Sequence, residues 1–213
     1  MAIVQATISA HPTSYDTVNI SYYQLSSSYP ISNAYADSDS TTYAQVSFTR
    51  GAQAETYVYL KFDFSAIPEG ATIKSVSAKG KGGSTVTNSS IVKTRQMQLA
   101  TGTTLKGTAL TISNSYSEQT FTNVGSWTRA ELQDARIRFY TQRNNTNPTT
   151  TYNIRMYGAT MTVTYEYDDT PPVVMPVRVK QNGAWVTPTK ILAKQNGVWQ
   201  EGAIKAKDGG TWK

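Results

Sequence analysis

Along YVYLKFDF, residues 57–64, apolar and polar positions alternate without a break. Val58, Leu60, Phe62 and Phe64 share one parity; Tyr57, Tyr59, Lys61 and Asp63 share the other. Successive side chains of a strand point to opposite faces, so this pattern predicts a half-buried strand. ARIRFYTQ, residues 135–142, repeats it, with Ile137 and Phe139 inward and Arg136, Arg138 and Tyr140 outward. A turn at Pro68, Glu69 and Gly70 leads into a strand through Ile73 and Val76. IVKTRQMQL (91–99) predicts another, with Ile91, Met97 and Leu99 on one parity, and ALTISN (109–114) and QTFTNV (119–124) predict shorter ones. YNIRMYGATMTVTYEY (152–167) predicts a long strand with a bulge or bend at Gly158. KGKGGS (79–84) reads as a flexible loop and NNTNPTT (144–150) as a turn-rich one.

One segment departs from the strand pattern. In SWTRAELQDAR, Thr128 is followed three residues on by Glu131, the spacing of a capping box. Trp127 before the cap and Leu132 after it are placed for a hydrophobic staple. A helix of about two turns is expected here, with Trp127 in the core.

DDTPP (168–172) marks a boundary, because two prolines stiffen the chain and donate no hydrogen bond to a sheet. Beyond it one hexapeptide recurs: KQNGAW at 180–185, KQNGVW at 194–199 and KDGGTW at 207–212. Asn-Gly is a strong hairpin signal, because a type I′ turn needs positive φ at both central residues. With the turn at Asn182-Gly183, Lys180 falls opposite Trp185. The same reasoning sets Lys194 opposite Trp199, and Gly209-Gly210 sets Lys207 opposite Trp212. A lysine stem over an indole is a cross-strand packing pair, of about 0.2–1 kcal/mol. One hairpin alone is marginal in water. The three are therefore expected to stack on one another or on copies from neighbouring chains.

Composition narrows the function. Charged residues make up 16% of the 213-residue chain and cysteine is absent, which excludes disulfides, thiolate metal sites and a cysteine nucleophile. The opening MAIVQATISAHP lacks a basic n-region and is not a signal peptide, and no run of residues is long and apolar enough for a membrane helix. Net charge is +6, and the last fifth carries most of it: residues 171–213 hold 7 basic and 2 acidic side chains. His11 is the single histidine, so neither an imidazole triad nor a zinc site can be assembled. Asp37 and Asp39 are at the spacing of a shared calcium, but the glycine and distal glutamate of a calcium loop are missing. They are weak metal candidates, and no metal or cofactor is expected. No pair among Asp37, Asp39, Asp63 and Glu118 is spaced as a glycosidase pair, so no catalytic residue is assigned. RFYTQRNN (138–145) mixes basic and aromatic residues without a nucleic-acid-binding signature, so nucleic acid is not expected as a partner. Tyrosines crowd the first third, and Tyr35, Tyr43, Tyr57 and Tyr59 are the candidate ligand-binding residues. Lys180, Trp185, Lys194, Trp199, Lys207 and Trp212 are the candidate assembly residues.

YLKFDFSAIPEGATIKSVSAKGKG resembles β-sandwich modules of bacterial surface proteins and of structural proteins of phages of Gram-positive hosts. The resemblance is carried by Phe62, Asp63, Phe64, Ser65, Ile67, Pro68, Gly70, Ala71 and Ile73. WTRAELQDARIRF, MYGATMTVTY and the terminal hairpins extend the resemblance to phage virion proteins. It implies a jelly-roll-like sandwich in a virion, contacting sugar or protein, without catalytic residues. The expectation is thus an all-β protein. Residues 1–168 form an antiparallel jelly-roll-like β-sandwich with one short helix, 169–172 a linker, and 173–213 three β-hairpin repeats. The expected function is non-enzymatic and structural. It is a surface-exposed virion protein of the tail tip or fibre, assembled in the host cytoplasm and touching host cell-wall polysaccharide. Its partners are other virion proteins and copies of itself, a trimer among the options, with no membrane. A capsid decoration or head-fibre protein, and a non-viral carbohydrate-binding module, stand as alternatives.

Overall fold

The structure is a computed structural model. It describes residues 3–18, 23–36, 40–48, 55–86, 91–144 and 152–169, and strand segments 179–181, 184–186, 192–195, 198–201, 207–208 and 211–212. Tyr22, Asp37, Asp39, the loop 145–150, the linker 170–172 and the hairpin turns at 182–183, 196–197 and 209–210 lie outside the described residues. So do the side chains of the tail, including its lysines and tryptophans. The chain divides into two compact units, Met1–Asp169 and Thr170–Lys213.

The first unit is an antiparallel β-sandwich. Its strands are β1 (Ile3–Ala10), β2 (Pro12–Val18), β3 (Tyr23–Leu25), β4 (Ala44–Phe48), β5 (Glu55–Phe62), β6 (Thr72–Ser84), β7 (Val92–Thr101), β8 (Thr104–Thr111), β9 (Ser117–Thr120), β10 (Ala135–Arg143) and β11 (Tyr152–Asp168). One sheet has the order β2-β5-β10-β7-β8. The other has the order β3-β4-β11-β6-β9, and β1 also pairs with β11. The 17-residue β11 is the spine of that sheet. Along one edge it pairs with β6 from Ile154 to Glu166. The opposite edge is shared, with β4 taking Tyr152–Met156 and β1 taking Met161–Asp168. The chain passes from one sheet to the other between β1 and β2, at His11. That imidazole is fixed by a hydrogen bond between Nδ1 and the Ala159 carbonyl, 3.1 Å.

Strand alternation fills the space between the sheets. β10 buries every second residue, with Ile137 and Phe139 facing Leu60 and Val58 of β5 on one side and Leu99 and Met97 of β7 on the other. β11 supplies Tyr152, Ile154, Met156, Met161 and Val163 from the opposite sheet. Phe64, Ile67, Phe121, Trp127 and Leu132 complete the same cluster. As the alternation predicts, Tyr57, Lys61, Arg136, Arg138 and Tyr140 lie outside it.

Three details differ from the sequence reading. QTFTNV is strand only at Gln119 and Thr120, because β9 spans Ser117–Thr120 and the chain then turns Phe121 into the core. KGKGGS is strand, not loop: it forms the C-terminal half of β6, paired with β11 and β9. Its glycines are required by packing rather than flexibility. A Cβ on Gly80 would meet Met97 Sδ at 2.7 Å and the Phe121 ring at 3.2 Å, and one on Gly82 would touch Ile112 and Phe139 at 3.5 Å. The helix is one turn, Arg129–Leu132 (α1), rather than two, because the chain enters β10 at Ala135. Its capping box is formed. Thr128 Oγ1 accepts from Glu131 N–H at 3.2 Å, and the Glu131 carboxylate accepts from Thr128 N–H at 2.7 Å. Trp127 and Leu132 are both in the core, and the indole Nε1 donates to the Val124 carbonyl at 3.0 Å. The bulge falls where expected, with the β11–β6 register shifting between Met156 and Gly158, whose φ is 131°.

In the second unit β12 (Val179–Gln181) pairs with β13 (Ala184–Val186), β14 (Leu192–Gln195) with β15 (Val198–Glu201), and β16 (Lys207–Asp208) with β17 (Thr211–Trp212). Lys180 is opposite Trp185, Lys194 opposite Trp199 and Lys207 opposite Trp212, the registers that the turn dipeptides dictate.

Two measurements test this packing. Gly107 sits at φ +69°, and a Cβ there would come 3.0 Å from the Thr122 carbonyl oxygen, a backbone atom that cannot swing away. Gly107→Ala should destabilise by about 2–4 kcal/mol in urea unfolding, from strain and overpacking together. Gly70→Ala, at φ +78° with open space around it, should cost about 1 kcal/mol from strain alone. The second measurement concerns Glu131. Its carboxyl is held below the ordinary glutamate range, first by the Lys106 ammonium 2.5 Å away and then by the Thr128 N–H. A depressed carboxylate stabilises the fold above its unfolded value, about 4.3, and that contribution is lost as pH falls through the lower folded value. Unfolding midpoints should therefore drop below about pH 4. Glu131→Gln should be less stable than wild type at pH 7 and lose less on acidification.

Candidate functional site

The outer face of the five-stranded sheet is an unbroken layer of planar polar side chains. Register builds it: Tyr59 of β5 is opposite Arg138 of β10, which is opposite Gln98 of β7. One pair further along, Tyr57, Tyr140 and Gln96 form a second row. On β2, Asp16 lies opposite Tyr59. Tyrosine, arginine and threonine suit these positions because each covers a pleated strand while keeping a polar end in water.

The layer is locked by its own contacts. Tyr57 and Tyr140 stack at 5.1 Å with planes 19° apart, and Tyr57 and Tyr59 at 6.2 Å and 16°. The Arg138 guanidinium carbon lies 5.2 Å from both the Tyr57 and Tyr140 ring centres, and that of Arg136 lies 5.6 Å from Tyr59. Gln98 accepts from Arg138 Nη2 at 3.1 Å through its carbonyl oxygen, and its amide nitrogen donates to the Gly107 carbonyl at 2.9 Å. Arg136 is held by Asp16 at 2.8 Å and Asp134 at 2.6 Å, and Lys61 also pairs with Asp16 at 3.3 Å. Cations and carboxylates therefore nearly balance. Among the described residues, the buried Nε of Arg138 and the side-chain amide of half-buried Gln96 have no hydrogen-bond partner in the protein. Such a surface presents pre-oriented donors and acceptors between aromatic rings, with little net charge.

The four tyrosines selected from the sequence do not form one site. Tyr57 and Tyr59 lie in the layer just described, with Tyr59 only 6% exposed. Tyr43 belongs to the outer face of the six-stranded sheet, stacked on Tyr29 at 4.6 Å. Tyr35 follows the 3-10 turn Ile31–Ala34 and packs against the core, where burial raises its phenol pKa. A hydrogen bond with Tyr29, with burial behind it, raises the Tyr43 phenol as well. Arg138, Tyr140, Gln96 and Gln98 were not singled out as a site from the sequence. The outward parity of Arg138 and Tyr140 was legible there, but their juxtaposition with Gln96 and Gln98 depends on β10 lying between β5 and β7. No group of three or more metal-ligating side chains occurs among the described residues, and none of their helices is long and apolar enough to cross a membrane.

No protein-family model matches this chain, and no curated protein matches it. Among solved structures, the chain is similar to a CBM4 structure, at 15% identity and a TM-score of 0.34, over 59% of this chain and 89% of that one. It is also similar to the family 11 carbohydrate-binding module of the cellulosomal cellulase Lic26A-Cel5E of Clostridium thermocellum. There the identity is 10% and the TM-score 0.31, over 73% of this chain and 86% of that one.

Proposed function

We propose that the sandwich is a non-enzymatic glycan-binding module that receives a neutral polysaccharide across the outer face of its five-stranded sheet. One observation carries this reading. Tyr57, Tyr59 and Tyr140 are fixed by Arg136 and Arg138 beside Gln96 and Gln98, in a single layer that offers ring edges, amides and a guanidinium at once. Sugars present hydroxyls around an apolar ring, and a rigid layer of planar hydrogen-bonding groups matches that chemistry with little ordering cost on binding. Among the described side chains of this face, the carboxylates Asp16 and Asp134 favour binding over hydrolysis. Asp16 and Asp134 both engage Arg136, leaving neither poised as an acid or base opposite the other.

The setting we propose is the surface of a phage virion, where the sandwich touches host glycan and the tail serves assembly. The observation favouring an assembly role is the tail's threefold repetition of one lysine–tryptophan register. Three similar hairpins, each marginal alone, gain stability by stacking.

Calorimetric titration of the full chain with neutral cellulosic, mixed-linkage and xylan oligosaccharides, and with purified Gram-positive cell-wall polysaccharide, tests the first reading. At least one should bind, and Arg138→Ala or Gln96→Ala should weaken it about tenfold, the equivalent of about 1.4 kcal/mol. Absence of binding across the panel, or unchanged affinity in both variants, would remove the proposal. For the tail, light scattering should show a higher oligomer for the full chain than for a chain ending at residue 172. Equal monomeric masses would count against assembly.

A further inference from the structure

The opposite face of the sandwich carries an aromatic ribbon that the reading above leaves unused. Tyr29 stacks on Tyr43 at 4.6 Å, Tyr43 is tilted against Tyr157 at 5.3 Å, and Tyr157 meets Tyr116 edge-on at 5.0 Å. The ribbon crosses the strands of the six-stranded sheet, from the start of β4 to the start of β9. Its ends are open, with Tyr29 38% and Tyr116 36% exposed. Its middle is anchored: Tyr157 is 3% exposed and lies on Gly83, where a Cβ would approach the ring to 3.2 Å.

A cation sits on this ribbon. The Arg155 guanidinium carbon lies 4.6 Å from the Tyr43 ring centre, and its Nε lies 3.4 Å from Gln45 Oε1. Among the described residues no carboxylate pairs with it. On the same face Lys79 and Lys81 share Glu118, at 2.8 and 3.5 Å, and they hold its carboxyl below the ordinary range. Among the described residues around the ribbon, Arg155, Lys79 and Lys81 stand against the one carboxylate of Glu118. Two residues from Arg155, and on the same side of β11, Asn153 has a buried side-chain oxygen with no hydrogen-bond partner.

We propose that this face is a second binding site, for an anionic sugar polymer. A guanidinium already oriented by an aromatic ring loses little freedom when its fork receives a carboxylate or a phosphate. The exposed tyrosines at the ribbon's ends offer surfaces for sugar rings. Single-stranded nucleic acid fits less well. It calls for a continuous basic groove, whereas here the two lysines are tied to Glu118 and one guanidinium remains. The anion's source is a uronic carboxylate or a backbone phosphodiester, and the two share the same recognition by Arg155.

The test uses the full chain in affinity electrophoresis and calorimetry, with polygalacturonate, a glycerol-phosphate polymer, dextran and a single-stranded oligonucleotide as probes. One or both anionic sugar polymers should bind, and more weakly as salt rises. Arg155→Gln should lower that affinity at least tenfold and Tyr29→Ala several-fold. Both variants should leave any neutral-glycan binding unchanged, whereas Arg138→Ala should leave the anionic binding unchanged. The polymer that binds identifies carboxylate or phosphate as the preferred anion. Failure of both anionic polymers to bind, full affinity in Arg155→Gln, or an oligonucleotide that binds more tightly than either would overturn the proposal. Anionic binding without any neutral-glycan binding would sink the preceding reading and leave this one standing.

Discussion

The structure depends on one constraint, the strict two-residue alternation along β10 at the centre of its sheet. Ile137 and Phe139 must enter the core, so Arg136, Arg138 and Tyr140 must leave it. A slip of one residue would drive two guanidiniums between the sheets, at a desolvation cost far above what the core residues contribute singly. Because both edges of β10 are paired, the same alternation orders its neighbours. Tyr57 and Tyr59 on one side and Gln96 and Gln98 on the other are carried to the outer face with the arginines. The planar polar layer is thus a consequence of how the core is buried.

The six-stranded sheet meets a different demand. Its partner strands β6 and β11 are long, and both must admit bulky groups without separating. Glycine meets that demand twice in β6. On the inner side, Gly80 and Gly82 leave room for Met97, Phe121, Ile112 and Phe139. On the outer side, Gly83 lets the Tyr157 ring lie directly on the strand. The bulge between Met156 and Gly158 re-aims β11 at that point and turns Tyr157 into the anchor of the ribbon. Core packing and the outer aromatic surface are thus coupled through one glycine-rich stretch.

Strand alternation, the capping box, the Gly158 bulge and the hairpin registers were all legible in the sequence, because each depends on residues close along the chain. KGKGGS was misread for an equally local reason. Glycines and lysines together suggest a loop until Phe121 and Ile112, some thirty to forty residues on, are known to need the space. Helix length failed similarly, since the pull of β10 at Ala135 ends a turn that the capping box begins. Composition gathers Tyr35, Tyr43, Tyr57 and Tyr59 into one region of sequence, while the two sheets send them to the core edge and to opposite faces. Only pairing order, which no single stretch encodes, could have joined Tyr57 to Tyr140 or Tyr43 to Tyr157.

Both faces place a guanidinium against tyrosine, yet the partners around each differ, and that difference sets the chemistry. Arg136 has two carboxylates, so its charge is internally balanced and its role is to hold Tyr59 in place. Arg138 has an amide in place of an acid, and stands between two rings with one nitrogen unpaired. Arg155 has a ring and a distant amide, and retains its full charge toward solvent. On the first face the described carboxylates are already held by Arg136 and Lys61, so the near balance of charge exerts little pull on an anion, and a neutral hydroxyl needs none. On the other face Glu118 is already shared by two lysines and no described carboxylate pairs with Arg155, so an anion approaching that guanidinium meets attraction. A single sandwich can therefore hold two polar faces of different chemistry without either compromising the core between them.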